Sequence, residues 1–280
     1  MLKSILRKAG YIVHSPDEFD QLLRQTTPST DWNRTEDNYH RLSQEYFGIP
    51  LTRNIQNVKL HSIYKDGSDQ FQRCFEALLN VESEYIQQLI VELAGSGVRG
   101  DFTEFGIFQG AWIDKLFSMT EVAGLADRQI WGFDSFRGLS EPHKVFDSSF
   151  WKKGMYAAGR ELVEANVRAA ERPRIRLVEG FFSDSLPTPK AQALGEVAFA
   201  RIDCDIYEPA KECLAFLSHR LSHGSILVFD DWSHDFAIGE ARAFAEWVDT
   251  VPHLRFKFIF LGPWDHLHLR VLHRDKPDIF

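Results

Sequence analysis

From Asp101 onward, short runs of β-branched and aromatic residues alternate with longer amphipathic stretches. A parallel sheet covered by helices buries both kinds of segment at once. The runs predict strands at 101–106, 129–134, 174–179, 197–203, 225–230, 255–261 and 266–272, with helices between the first six. Only Gly262, Pro263 and a few neighbours separate the last two runs, too little chain for a parallel crossover. The seventh strand is therefore expected to run antiparallel to the sixth. The predicted fold is α/β: a seven-stranded, mostly parallel sheet with an antiparallel last strand and helices on both faces.

Composition narrows the function classes. With 280 residues, 44% hydrophobic and 26% charged, the chain is ordinary for a globular protein, which excludes disordered, collagenous and coiled-coil readings. A net charge of -8 opposes general attraction to nucleic acid or anionic membrane and suits small-molecule partners. No apolar run reaches the roughly 18–20 residues of a membrane helix, and Lys3, Arg7 and Lys8 interrupt the N-terminal stretch. Neither a secretion signal nor a membrane span is expected. Cys74, Cys204 and Cys213 match neither a disulfide framework nor a zinc site, which fits a cytoplasmic setting.

Residues 1–70 read as an N-terminal lid or oligomerisation segment, since 15–70 is polar with little sustained periodicity, and residues 71–280 as the main α/β domain. Phe71, Phe75, Leu78, Leu79, Tyr85, Leu89 and Leu93 predict a helix over 71–94, stopped by Gly95, Ser96 and Gly97. The irregular stretch 140–159 holds Phe146, Phe150, Trp151 and Tyr156; it is either a flap over a ligand or an aromatic-packed loop.

Ligands of open α/β sheets bind beyond the carboxyl ends of the strands, so strand ends carry the functional signal. The first strand leads into Glu104-Phe105-Gly106-Ile107-Phe108-Gln109-Gly110, an acid and two glycines before a helix starting near Ala111. The spacing is not G-x-G-x-x-G, and with Glu104 in the strand a ligand bearing an amino group suits the loop better than a pyrophosphate. A tight turn needs glycine whatever it binds. Asp134 ends the second strand, placed either to accept from a ribose diol or to cap the next turn. Gly180 and Phe181 follow the third strand, where the aromatics line a purine or fill core.

The strongest chemical signal is Asp203-Cys204-Asp205 and Asp230-Asp231, paired acids ending two successive strands. Four convergent carboxylates repel unless a cation neutralises them, and hard oxygen ligands suit Mg2+ or Mn2+. For Asp205 a second reading stays open, because Asp205-Ile206-Tyr207-Glu208 has the form of a capping box.

Five blocks in order resemble one family. They are 101–106 with Gly110, 133–139, Glu179-Gly180-Phe181-Phe182 with Asp184 and Leu186-Pro187, 201–208, and 224–232. Over roughly 71–272 the chain resembles the TylF-type macrocin O-methyltransferases, Mg2+-dependent enzymes that methylate sugar hydroxyls of natural products using S-adenosylmethionine. The resemblance implies a Rossmann-like class I methyltransferase fold. It also implies that Glu104, Gly106 and Gly110 surround the methionine end of S-adenosylmethionine, with Asp134 and Ser135 at the ribose, Gly180 and Phe181 at the adenine, and Asp203 close by. Asp203, Asp230 and Asp231 match the family's Mg2+ ligands, and Asp205 its general base. The chain departs from the family at Cys204, Ala111 and Trp232, where glycine, glycine and tyrosine are common.

The expected reaction is metal-assisted methyl transfer to a hydroxyl of a small, sugar-containing acceptor, with Mg2+ or Mn2+ as cofactor, by a homo-oligomer. Asp205 is the expected base, with His234, His266 and His268 as alternatives. The competing readings are a catechol or phenol O-methyltransferase, a non-catalytic binding protein, and an aspartyl-phosphate phosphatase, which would need a lysine where only Lys211 is available.

Overall fold

The computed structural model describes residues 32–49, 69–233, 235–262 and 265–278. The strands are β1 (Asp101–Phe105), β2 (Ile130–Asp134), β3 (Ile175–Glu179), β4 (Val197–Ile202), β5 (Leu221–Phe229), β6 (Leu254–Leu261) and β7 (Leu267–His273). Each falls on an expected segment, with β5 starting at Leu221 rather than Ser225. They form one sheet in the order β3-β2-β1-β4-β5-β7-β6.

Strands β1 to β5 pair in parallel, and β7 runs antiparallel to both β5 and β6. The short link dictates the reversal, but β7 lies inside the sheet and β6 takes the edge. Burial accounts for that choice. β7 is buried along nearly its whole length, whereas β6 exposes Lys257 and half-exposes Arg255, charges that suit an edge strand.

Helices α1 (Trp32–Phe47) and α2 (Asp69–Gly95) precede the sheet, and α3 (Ala111–Val122) and α4 (Arg160–Asn166) follow β1 and β2. Two single turns, α5 (Phe182–Ser185) and α6 (Pro189–Gln192), follow β3. α7 (Tyr207–Leu217) follows β4 and α8 (Gly239–Val248) follows β5. Helix α2 buries Ile86, Leu89, Ile90 and Leu93, helix-spaced along one stripe, in the same core as Phe102 and Phe199. Glu82 stands one turn before Ile86 on that stripe and is also buried.

The second core layer holds Trp232, Phe229 and Phe244, and α1 docks on it. Phe47 lies 5.9 Å from Trp232, and Tyr46 5.8 Å from Phe244, ring centre to ring centre. This helix forms where the sequence pattern gave no periodic signal, because tertiary aromatic contacts anchor its last turn. The remainder of the 1–70 segment lies outside the described residues, as do His234, Pro263 and the side chains of Phe71, Phe75, Leu78 and Leu79.

The stretch 140–159 is pinned at several points. Leu139 and Gly154 each donate to a carbonyl within the loop's base, Gly239 N–H donates to Phe146 O at 2.7 Å, and Tyr207 N–H donates to Asp147 Oδ1 at 2.7 Å. Phe146 packs on Tyr207 at 5.1 Å, under the Arg242 guanidinium. The loop thus joins the end of β2 to the starts of α7 and α8. The chain winds from β1 toward β3 in one direction and from β4 toward β5 in the other. The crevice at the carboxyl ends of β1 and β4 is where a ligand site belongs.

Candidate active site

The acid turns leave β4 and β5 side by side, since those strands pair in parallel with Ile202 opposite Phe229. Oxygens of Asp203, Asp205 and Asp231 all lie within 4.8 Å of one another. Asp230 adjoins this group: its Oδ1 contacts Arg201 Nη2, the guanidinium that also holds Asp203, and stands 3.1 Å from His266 Nε2. Asp205 holds a left-handed backbone, φ 60°. It does not cap α7. The N-cap residue is Ile206, and Asp147 accepts the Tyr207 N–H instead, so the Asp205 carboxylate is left to the cluster.

Arg201 is the residue that sequence reasoning missed. Its Nη1 lies 2.6 Å from Glu104 Oε1 and 2.6 Å from Asp203 Oδ2, its side chain is only 4% exposed, and its guanidinium covers the Trp112 ring at 4.6 Å. Repulsion among the acids therefore does not by itself demand a metal, because a built-in cation serves Glu104, Asp203 and Asp230. The signal was present: strand period two places Arg201 and Asp203 on one side of the chain. The carboxyl groups that Arg201 does not touch are those of Asp205, Asp231 and the buried Glu240.

Electrostatics follow from burial and neighbours. Burial, with the adjacent Asp230, pushes the Asp231 carboxyl up to about 7. Burial and the charges of Asp231 and Asp203 hold Asp205 well above the usual carboxylate range, and burial also raises Asp203. Glu104 is raised to about 7 by burial, which outweighs Arg201. Asp230 goes the other way: against its burial, Arg201 and His266 keep it ionised.

Of the histidines considered as bases, His266 and His268 are described, and both are held by neighbours in the core. His266 has Glu82 Oε1 2.8 Å from Nδ1 and Asp230 3.1 Å from Nε2. Doubly paired with carboxylates, it is held protonated above its ordinary value despite burial. His268 is fully buried, its Nδ1 3.1 Å from His266 O, and burial lowers it to about 4. Lys211 is exposed on α7, 3.1 Å from Tyr207 Oη, which leaves a phosphatase reading without its lysine at the acids.

The glycines of the β1 loop are filled by protein. A Cβ on Gly106 would stand 1.8 Å from Asp203 O, and one on Gly110 2.6 Å from Val167 Cγ1; both have φ 83°. Asp134 Oδ2 accepts the N–H groups of Ile107 at 2.8 Å and Phe108 at 3.1 Å, and Oδ1 accepts that of Phe136 at 2.6 Å. Its carboxylate thus fastens the β1 loop to β2, with one lone-pair direction left on Oδ1. Ser135 closes a local turn, donating to Gly138 O at 2.8 Å. Phe181 lies under the Arg137 guanidinium at 4.7 Å, beside Gly180. Among the described residues, Glu104 Oε2 is buried with no hydrogen-bond partner, two residues before Gly106.

A seven-stranded sheet with its last strand reversed and inserted beside β5, and strand-end acids at the switch point, defines the class I S-adenosylmethionine-dependent methyltransferase fold. More narrowly, the chain belongs to the macrocin-O-methyltransferase (TylF) family, whose model matches residues 18–247. A tetracenomycin-C 4'-O-methyltransferase that acts on the 8-demethyl-8-(2,3-dimethoxy-alpha-L-rhamnosyl) form, from Streptomyces olivaceus, is 29% identical over 54% of this chain and 59% of its own length. The demethyldecarbamoylnovobiocin O-methyltransferase of Streptomyces niveus is 27% identical over 53% of this chain and likewise 59% of its own. The matched region thus spans less than two thirds of those relatives. Among solved structures, the O-methyltransferase NovP superposes with TM-score 0.59 at 23% identity, covering 69% of this chain and 80% of its own. CalS11, a calicheamicin methyltransferase, gives 0.50 at 22% identity over 93% and 95%. At these identities the superpositions establish the fold.

Among the described residues, no helix is long and apolar enough to cross a membrane.

Proposed function

We propose that this chain is an S-adenosylmethionine-dependent O-methyltransferase that methylates a hydroxyl of a sugar-bearing natural product, assisted by Mg2+ or Mn2+. The observation that carries the reading is the meeting of two sites at one crevice. Asp203, Asp205 and Asp231 converge, and Arg201 links Asp203 to Glu104, whose free buried oxygen is an acceptor for the amino group of the methyl donor. Family membership and the names of the relatives support the sugar-bearing acceptor.

The residues fit both groups. The convergent acids are hard oxygen donors with a surplus of negative charge, as a divalent cation requires. Asp203 and Asp231, from the set Asp203, Asp230 and Asp231 that the family resemblance suggests, belong to this cluster; Asp230 adjoins it and is oriented by Arg201 and His266. Gly106 and Gly110 shape the β1 loop, Asp134 and Ser135 hold the turn where a ribose would lie, and Gly180 with Phe181 forms the wall for an adenine. Bound there, the cation would lower the pKa of an acceptor hydroxyl and the donor would supply an electrophilic methyl group. Asp205, raised above the usual carboxylate range, would take the hydroxyl proton. Arg201 would fix Glu104 and Asp203 so that donor and acceptor align.

A cytoplasmic homo-oligomer, with residues 1–70 as lid or subunit contact, completes the reading. Calorimetric titration of S-adenosylmethionine and S-adenosylhomocysteine, with Mg2+ and then with a chelator, tests it. Binding of both, followed by methyl transfer to hydroxylated glycosides only with metal, is expected; no binding in either condition would overturn the cofactor assignment.

A further inference from the structure

Glu240 occupies the second position of α8 and is fully buried. A glutamate in the first turn of a helix is usually solvated, favoured there by the helix dipole. Here the side chain turns inward beneath the acid cluster. Its Oε1 accepts the Cys204 N–H at 3.1 Å and its Oε2 accepts the Asp231 N–H at 3.2 Å. Cys204 lies between Asp203 and Asp205, and Asp231 follows Asp230. One carboxylate therefore ties together the two turns that carry all four acids.

Both N–H groups lie beyond the last ladder bonds, which are Asp203 N–H to Phe105 O and Asp230 N–H to Ile202 O. Past those bonds the sheet no longer dictates how far apart the turns stand. Buried donors still need acceptors, and only a carboxylate offers two acceptor oxygens with no donor between them. Burying a carboxyl group beside other acids is costly, a cost a mere space-filling residue would not incur.

We propose that Glu240 is a positioning residue that fixes the spacing between the Asp203/Asp205 turn and the Asp231 turn, and thereby sets the affinity of the acid cluster for a divalent cation. The proposal rests on the metal-assisted reading above. Around the cluster, Glu104, Asp203, Asp205, Asp230, Asp231 and Glu240 outnumber the described cations near them, which are Arg201, His266 and, beside Glu104, Lys115. Glu240 thus orders the turns that carry the ligands.

The test is titration of Mn2+ into the purified full chain, parent and Glu240→Gln, with S-adenosylhomocysteine affinity measured alongside. The amide keeps the shape but turns an NH2 toward one of the two N–H donors, releasing one turn. Mn2+ affinity should fall by about tenfold or more, the scale of outer-shell substitutions at metal sites, while S-adenosylhomocysteine affinity stays within about twofold of the parent. A folded Glu240→Gln chain that binds Mn2+ like the parent overturns the proposal. A parent that binds S-adenosylhomocysteine but no Mn2+ instead rejects the metal reading, and the proposal with it. If the glutamine variant does not fold, amide hydrogen exchange decides. Slow exchange at Cys204 and Asp231 in the parent, faster at either in Glu240→Asp, supports the clamp; free exchange at either amide in the parent overturns it.

Discussion

Glu104 and Arg201 are register partners across the β1–β4 ladder, with Arg201 Nη1 2.6 Å from Glu104 Oε1. Two strands distant in sequence are thus joined by a buried ion pair at the point where the winding of the sheet reverses. Replacing the arginine would strand Glu104, Asp203 and Asp230 without their shared cation. Arg201→Met is expected to lower stability by about 3–5 kcal/mol, the cost of breaking a buried pair from one side. Urea unfolding at neutral pH measures it, and a loss below about 1 kcal/mol would mean that solvent reaches these acids.

Gly106 allows the β1 loop to pass the carbonyl of Asp203. Gly106→Ala would force a side chain into a left-handed backbone, about 1–3 kcal/mol, and into contact with Asp203 O, a further 1–3 kcal/mol or so. The acid turn after β4 should shift as well. Lower melting temperature together with weaker S-adenosylhomocysteine binding is the expected result, and parental values for both would show that the turn yields without strain.

Stability of the metal-free chain should fall as pH rises. Glu104 and Asp231 have folded values of about 7, above the ordinary 4.5 and 3.8, so the folded state holds more protons between those limits. His266 acts in the same sense: its raised value adds stability below the ordinary 6.5 that is lost as pH rises through the folded value. Two groups act in the opposite sense: Asp230, lowered, loses its stabilisation only as pH falls below the ordinary 3.8, and His268, lowered to about 4, adds stability as pH rises toward 6.5, a gain smaller than the combined loss at Glu104 and Asp231. In chelator, the melting temperature should therefore drop from about pH 5 to about pH 8, with Mn2+ restoring it at the upper end. A flat or rising profile would contradict the buried-acid picture.

In the proposed reaction Asp205 is the base, since among the described candidates His266 is doubly paired and His268 is buried. Asp205→Asn should reduce kcat by about 10²–10⁴-fold with unchanged affinity for the methyl donor. Asp203→Asn should instead weaken metal binding, so that any remaining activity needs a higher divalent-ion concentration. Stopped assays across metal concentrations separate the two, and a fully active Asp205→Asn chain would move the role elsewhere.

The sequence by itself determined the strands, the reversal of the last one and the identity of the strand-end acids. Those properties are local: side-chain period, chain too short to cross over, and residues that must lie at a strand's end once the strand is placed. It left open whether Asp205 caps a helix and whether the glycines make room for a ligand or for the chain itself. Tertiary structure decided both, because Asp147 arrives from the 140–159 loop to cap α7 and Asp203 O fills the space beside Gly106. It also decided how the acids are balanced. Arg201 meets Glu104 across a ladder, Glu82 reaches Asp230 through His266, and Glu240 joins two turns from a third element. A carboxylate's field acts through space over a few ångströms, and which residues come that close is set by strand register and helix docking, which no local pattern in the chain encodes.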